Sequence, residues 1–198
     1  AFSEDGLHWT LSPYNPIIRG YGSERGGLVR YGGCYYLNGQ GGGMPHPIRA
    51  ARKRSLVTYA SYDFDHWTQA IVPGFRRDPV PPHPPSDFEP HRGEQVHMGA
   101  SLWNRGNVLI GIYGQYHNES NDRRYGTCDL GLVVSNDAMH FREPIPDFKF
   151  VPYYEELEDG PPRLLHGQWF ANDGERYFFL YVVWRYEPPK TTGVRLAT

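Results

Sequence analysis

Hydrophobic positions along the chain fall in short runs that are rich in β-branched and aromatic residues. Two clear examples are residues 56–60 (Leu-Val-Thr-Tyr-Ala) and residues 176–184 (Arg-Tyr-Phe-Phe-Leu-Tyr-Val-Val-Trp). No stretch repeats apolar residues at the i, i+3, i+4, i+7 spacing of an amphipathic helix. Gly-rich turns such as residues 104–107 separate neighbouring runs, as in β-hairpins. The pattern predicts an all-β fold.

The predicted strands recur in the same order in successive units of the chain. Each complete unit has a first strand, a hairpin to a second strand, a third strand and then a segment with a His-aromatic pair, which we predict to be the fourth strand. The predicted strands are 27–30, 34–40 and 55–60 in the first unit, 96–103, 108–115 and 128–134 in the second, and 164–170, 176–184 and 193–198 in the third.

A repeated motif, Ser-x-Asp-x-x-His-aromatic, marks the units. It occurs at Ser3–Trp9, Ser61–Trp67 and Ser135–Phe141, at intervals of 58 and 74 residues. Ser and Asp side chains accept backbone N–H bonds in tight turns, and the aromatic residue can anchor the outer strand between blades, so we assign the motif a structural role. Such spacing is typical of a β-propeller built from four-stranded blades with long loops.

The motif also delimits the units along the chain. We predict three blades at about residues 24–70, 94–143 and 164–198, with a blade stub at 1–10. The third unit stops before its own Ser-x-Asp turn, and Ala1-Phe2 has the character of a strand's end. We therefore expect about three blades of a larger propeller, truncated at both ends, within a single partial domain.

Composition and charge narrow the function classes. The chain has 23 Gly, 18 Pro and 15 Tyr, which favours turns and short strands, and its net charge of −2 gives no reason to expect nucleic acid binding. The one basic run, residues 49–54, we interpret as a solvated strand entry. No apolar run is long enough to span a membrane.

Cysteine and histidine spacing indicates no metal or redox chemistry. Cys34 and Cys128 lie far apart inside predicted strands and are expected to be buried free thiols. The nine histidines form no HExxH motif or other tight ligand cluster, so we predict no catalytic metal and no cofactor. The glycine-rich loop at 39–46 lacks the Gly-Lys-Ser/Thr ending of a phosphate loop and is expected to be a rim loop.

With these residues the chain resembles the five-bladed propeller glycoside hydrolases of families 32, 43 and 130, and in particular uncharacterised bacterial proteins of the family 32 or 43 type. The resemblance rests on the Ser-x-Asp turns, on residues 24–37 (Glu-Arg-Gly-Gly-Leu-Val-Arg-Tyr-Gly-Gly-Cys-Tyr-Tyr-Leu) and on residues 128–137. It implies hydrolysis of glycosidic bonds in a central funnel, at the starts of the first strands, by a protonated and an ionised carboxyl group.

Three acidic residues meet that positional requirement. Glu24 precedes a Gly-Gly-Leu-Val-Arg strand much as a family 43 acid does, and the resemblance makes it the first candidate for general acid. Glu94 has the equivalent place in the next unit, as a second carboxylate or a hydroxyl-binding group, and a loop Glu paired with Arg92 is the alternative reading. Asp78, in an Arg-Asp-Pro sequence, resembles a family 32 motif, but a Pro-rich loop follows where that family has a strand, and a turn Asp before Pro is the alternative reading.

A second group of residues suits a polyhydroxylated ligand, whose C–H faces stack on aromatic rings while its hydroxyls need polar partners. These candidate substrate-binding residues are His97, His166, Gln168 and Trp169. The alternative function is a propeller that binds carbohydrate or protein without cleaving it, because the fold alone does not decide between the two. The enzyme class suggests a secreted or periplasmic location, and the 198-residue chain by itself is expected to be inactive.

Overall fold

The computed structural model describes residues 1–18, 23–41, 54–69, 72–77, 91–154, 163–188 and 191–198. Within these ranges the chain is all-β, as predicted, with one 3-10 turn at Arg123–Tyr125 and no α-helix. The strands are β1 (Ser23–Tyr31), β2 (Cys34–Gly41), β3 (Ser55–Ser61), β4 (Val72–Phe75), β5 (Gln95–Asn104), β6 (Leu109–His117), β7 (Thr127–Ser135), β8 (Lys149–Val151), β9 (Leu164–Asn172), β10 (Tyr177–Trp184) and β11 (Thr191–Ala197).

The strands group into three antiparallel units. β1 to β4 form a four-stranded sheet in chain order, β5 to β8 form the second unit, and β9 to β11 form the third. The second and third units share one sheet, because Cys128 at the start of β7 pairs in parallel with Leu164 at the start of β9. The three predicted first strands and their hairpin partners are confirmed, with ends that differ by a few residues.

The three Ser-x-Asp turns share one set of hydrogen bonds. In the second copy, Ser61 Oγ accepts from Phe64 N at 2.9 Å, and Asp63 Oδ1 accepts from Asp65 N at 2.9 Å and His66 N at 2.7 Å. The same contacts recur in the other two copies. The predicted structural role of the Ser and Asp side chains is thus confirmed.

The fourth strands of the first and second units are not where the sequence placed them. β3 and β7 end at Ser61 and Ser135, and in the turns that follow Phe64 and Ala138 have positive φ angles of 72° and 63°, which a β-strand does not contain. The fourth strands, β4 and β8, begin only after the His-aromatic pair. The aromatic residues Trp67 and Phe141 are buried at 6% and 7% exposure, whereas Trp9 is 64% exposed.

Asp137 provides a test of how much one such turn stabilises the fold. Burial alone would raise the pKa of its carboxyl, but N–H bonds from His140 and Met139 and the His140 ring lower it to about 2. Because the unfolded value is about 3.9, this stabilisation is complete above about pH 4 and is lost as the pH falls towards 2. Discounted for its exposure, it amounts to about 1 kcal/mol.

We therefore expect Asp137→Asn to lower the free energy of unfolding by about 1 kcal/mol near neutral pH, with the difference from wild type vanishing near pH 2. Urea denaturation across that pH range measures it. Glu175→Gln, at an exposed position, is the control and should leave the difference near zero throughout. A deficit that persists at low pH would contradict the carboxylate explanation.

The first strands of the units run in the same direction, side by side. Near the starts of β1 and β5, Gly26 packs on Gly99. Near their ends, the Asn104 side chain donates to Arg30 O, so the two strands are parallel. Between β5 and β9 the His97 ring meets His166, and Trp103 stacks on Phe170. One edge of the molecule contains the starts of β1, β3, β5, β7 and β9. We call it the entry edge.

A shared core joins the first and second units. Its buried residues come from β1, β3, β5, β6 and β7 and from the third Ser-x-Asp turn, and they are Val29, Leu56, Val96, Ala100, Leu102, Leu109, Tyr113, Val133, Ala138 and Phe141. Cys34 and Cys128 are buried free thiols, as predicted. The core therefore holds the starts of β1 and β5 next to each other.

Candidate functional site

The entry edge brings together four of the residues selected from the sequence. Glu24 lies one residue into β1, Glu94 directly before β5, His97 two residues into β5, and His166 two residues into β9. β1 and β5 approach closely enough that a Cβ on Gly26 would stand 2.2 Å from Gly99 Cα. Only paired glycines allow this backbone contact, so the approach is built into the sequence.

Facing bulges shape this part of the edge. The β1–β2 pairing shifts between Arg25 and Gly27, and the β5–β6 pairing shifts between His97 and Ser101. A bulge leaves backbone N–H groups without ladder partners. Buried amides of β2 accept them: Gln40 Oε1 from Met98 N and Asn38 Oδ1 from Ala100 N, each at 2.7 Å.

A histidine pair lies at the centre of the edge. His97 Nε2 and His166 Nε2 are 2.9 Å apart, and Arg54 Nη1 lies 2.8 Å from His97 Nδ1. Aromatic rings surround the pair: Tyr116 next to His97, and Trp184 stacked on His166. The two strands that supply the histidines are thus joined by a side-chain hydrogen bond.

Both histidines are held neutral by their surroundings. Burial lowers the pKa of His97 well below its ordinary value, and electrostatic repulsion of a protonated His97 by His166, Arg54 and Arg123 lowers it further. Burial and the nearby charge of Arg54 lower the pKa of His166 to about 4. Near neutral pH the pair therefore offers hydrogen bonds without positive charge of its own.

Arg54 corrects one sequence interpretation. It does lie at a strand entry, directly before β3, but it is partly buried, bonded to His97 and 5.7 Å from the Tyr116 ring. It is therefore not a solvated residue. The rest of the basic run, at 49–53, lies outside the described residues.

Glu94 is tightly engaged by two basic side chains. Its Oε2 lies 2.6 Å from Arg77 Nη1, and its Oε1 contacts His117 Nδ1. Arg77 follows β4 of the first unit, so this ion pair links the first unit to the start of β5. Only 6% of the Arg77 side chain is exposed. The arrangement fixes the Glu94 carboxylate in one orientation.

The Arg77 guanidinium lies within ion-pair distance of three carboxylates. Besides Glu94, its Nη2 lies 2.8 Å from Asp147 Oδ1 and its Nε lies 4.0 Å from Glu143 Oε1. Burial alone would lower the pKa of Arg77, but Tyr113 and the surrounding carboxylates raise it. Glu143, at 14% exposure, also accepts hydrogen bonds from Tyr113 Oη and Gln115 Nε2. We call these residues, with Glu94, the Arg77 cluster.

Glu24 has a different environment. It is exposed at the start of β1, with its backbone paired with that of Gln40, and its side chain forms no hydrogen bond or ion pair with a described residue. Because Gln40 accepts from Met98 N, next to His97, the Glu24 backbone lies close to the bulge that holds the histidine. Glu24 is therefore accessible where Glu94 is constrained.

Trp169 borders a cleft between the first strands. The cleft has a volume of about 420 Å³, and the indole of Trp169 is 53% exposed in it. Ser101 also lines the cleft, and its buried hydroxyl has no hydrogen-bond partner among the described residues. The remaining lining residues are Arg25, Gly26, Gly27, Leu28, Leu37, Leu102 and Phe170. The exposed indole gives the cleft an aromatic wall on which a sugar ring can stack.

Two predicted site residues are not located by the structure. Asp78 lies outside the described residues, and so does the side chain of Gln168, although its backbone belongs to β9. In the described ranges no group of three or more His, Cys, Asp or Glu side chains could hold a metal ion. In those same ranges no helix is long and apolar enough to cross a membrane.

Sequence reasoning missed the arginines that organise the edge. Arg54 belongs to a basic run, and Arg77 is the arginine of the Arg-Asp-Pro sequence that drew attention to Asp78. Neither local sequence reveals the role of its arginine, because the partners lie 17 to 70 positions away along the chain. The sequence offers only a general indication of these roles, namely that an Arg between a strand and a turn suits a buried ion pair.

Comparisons with known proteins agree with this architecture. No family model and no curated protein matches the sequence. Among solved structures, a thermostable family-43 glycoside hydrolase matches with a TM-score of 0.50 and 15% identity, over 85% of this chain and 44% of that one. The chain has the fold of the propeller glycoside hydrolases.

A second solved structure, described as a glycoside hydrolase, matches equally well. Its TM-score is 0.50 and its identity 12%, over 85% of this chain and 46% of that one. The chain thus spans a little under half the length of each of these relatives. At such identity the likeness concerns the fold, and the chemistry has to be argued from the site.

Proposed function

We propose that the protein hydrolyses glycosidic bonds at the entry edge by carboxyl acid and base catalysis. The observation that supports this most is the convergence of the first strands, which places Glu24, Glu94, His97 and His166 at one edge, beside the Trp169 cleft. A glycosidase needs two carboxyl groups flanking one bond, with groups nearby that bind hydroxyls. The entry edge has residues of each kind.

The finer architecture belongs to the same proposal. The three units would be three blades of a five-bladed propeller, with residues 1–10 belonging to another blade. The repeated Ser-x-Asp turns and the parallel first strands support this reading, as does the match to a little under half of each relative. The entry edge would then line part of a central funnel that further blades complete.

The residues have separate proposed roles. Glu24, accessible at the start of β1, is the general acid, and Glu94, oriented by Arg77 and His117, is the assisting carboxylate. Asp78 remains a second candidate for that assisting role. His97, His166, Gln168 and Trp169 would bind the carbohydrate, Trp169 by stacking.

A non-catalytic carbohydrate-binding function is the second candidate. The observation that favours it is the Arg77 cluster, because a carboxylate held by an arginine and a histidine is also what a purely structural ion pair looks like. In that case the aromatic cleft and the histidine pair would bind sugar, and no bond would be cleaved.

Incubating the full-length protein with a panel of aryl and alkyl glycosides separates the two functions. Hydrolysis is followed by release of reducing sugar, and occupancy by quenching of tryptophan fluorescence. We expect at least one glycoside to be cleaved, with the cleaved glycosides also quenching fluorescence. Quenching without any cleavage would favour the binding function, and neither signal with any glycoside would refute both.

A further inference from the structure

We propose that Arg54 is a positioning residue that fixes the tautomers of His97 and His166, so that His166 presents its Nδ1–H to a hydroxyl oxygen of the bound sugar. The sugar in this statement rests on the proposed function, whereas the tautomers do not. The tautomers follow from which atoms of the three side chains can donate a hydrogen bond.

The direction of the chain of hydrogen bonds follows from Arg54. A guanidinium is a donor only, so His97 Nδ1, 2.8 Å from Arg54 Nη1, has to accept. A neutral imidazole carries one proton, and that of His97 is therefore on Nε2. This Nε2–H then points at His166 Nε2, 2.9 Å away, which has to accept in turn. The proton of His166 is left on Nδ1.

The reverse arrangement would place two donors face to face. If His166 donated from Nε2, His97 would carry its proton on Nδ1, against the N–H of Arg54. Burial lowers the pKa values of both histidines, so a second proton on either ring does not relieve the conflict near neutral pH. The donor-only guanidinium of Arg54 thus selects one of two otherwise equivalent chains of hydrogen bonds.

The rings around the pair keep His166 oriented. Trp184 stacks on it at an interplanar angle of 17°, and His97 meets it edge-on at 68° with centroids 4.7 Å apart. Both contacts fix the ring plane, and the His97 bond fixes which nitrogen faces inward. His166 Nδ1 has no hydrogen bond to any described residue, and His166 is only partly buried.

A neutral N–H in this position suits an acceptor oxygen. It cannot give up its proton readily, so it is fitted to bind a hydroxyl rather than to protonate a leaving group. Polarisation along the chain by the Arg54 charge strengthens the donor. His166 therefore fits a specificity role, and the acid of the proposed reaction has to lie elsewhere, as Glu24 does.

Long-range proton–nitrogen NMR spectra of the full-length protein, labelled with ¹⁵N-histidine, report the tautomers without any ligand. We expect His97 as Nε2–H and His166 as Nδ1–H near neutral pH. Arg54→Lys, also a donor, should keep both tautomers, whereas Arg54→Met should let His166 populate Nε2–H. Arg123→Met removes a nearby charge that also acts on His97 without touching the pair, and should change neither tautomer.

Two results would overturn the positioning role: His166 as Nε2–H in the wild type, or equal spectra for Arg54→Met and Arg123→Met. Adding D-xylose, L-arabinose and D-mannose in turn then tests the ligand. A bound sugar should shift the His166 Nδ1–H signal, and binding that leaves this signal unmoved would overturn the hydroxyl contact. Binding by no sugar would refute that contact together with the proposed function, while the tautomer assignment would stand.

Discussion

Replacing Arg77 with methionine is expected to lower the free energy of unfolding by about 3–5 kcal/mol. Arg77 is almost fully buried, and its guanidinium bonds Glu94 at 2.6 Å, Asp147 at 2.8 Å and the Tyr116 carbonyl at 3.2 Å. Methionine fills much of the same volume, so the loss measures the charge and the hydrogen bonds rather than a cavity.

The cost arises mainly at the least exposed partner. Asp147 is largely exposed and loses little, because water solvates its carboxylate. Glu143 is 14% exposed and would keep its negative charge without a neighbouring cation. A buried carboxylate without compensation is strongly destabilising, which places the expected loss well above that of a surface ion pair.

Urea denaturation of Arg77→Met and of two further variants measures this loss. Arg142→Met, at an exposed position, removes the same charge as a matched control and should cost less than about 0.5 kcal/mol. Adding Glu143→Gln to Arg77→Met should recover part of the loss, since the uncompensated charge is then gone. A loss below about 1 kcal/mol would show that the Arg77 cluster contributes little to stability, and no recovery in the double variant would show that the cost does not arise at Glu143.

The sequence predicted the fold because the fold is repetitive. The Ser-x-Asp turn depends on side chains that bond backbone groups two or three residues away, so its geometry is written locally, at Asp5, Asp63 and Asp137 alike. The same local chemistry explains the error in the fourth strand. Phe64 and Ala138 have positive φ in the turns that keep the His-aromatic pairs out of the sheet, and the pattern of apolar residues does not predict these φ values.

The candidate site was only partly predictable, because its contacts join residues that are distant in the chain. Position at the start of a first strand sufficed to select Glu24, Glu94, His97 and His166. Their environments depend on residues that are distant in the chain. The ion pair with Arg77 constrains Glu94, and the hydrogen bond from Arg54 makes Nδ1 the accepting nitrogen of His97. Such long-range pairs leave no trace in the spacing of a single sequence.

If Glu24 is the general acid, Glu24→Gln should lower the turnover of alkyl glycosides by the full-length protein by about 10²–10⁴-fold. Glutamine keeps the shape of the side chain but has no proton to give to the leaving oxygen. Because Glu24 is exposed and forms no hydrogen bond or ion pair with described residues, the free energy of unfolding should stay unchanged. Glu4→Gln, also exposed, is the matched control and should retain full turnover.

The leaving group distinguishes acid catalysis from simple binding by Glu24. An aryl glycoside whose phenol is already acidic departs without protonation, so Glu24→Gln should slow its cleavage far less than that of an alkyl glycoside. Loss of a binding contact would slow both alike, because the same sugar is bound in each. Equal losses would therefore assign Glu24 to binding, and near-normal turnover of both substrates would remove it from the mechanism and leave Glu94 and Asp78 as the carboxylates to test.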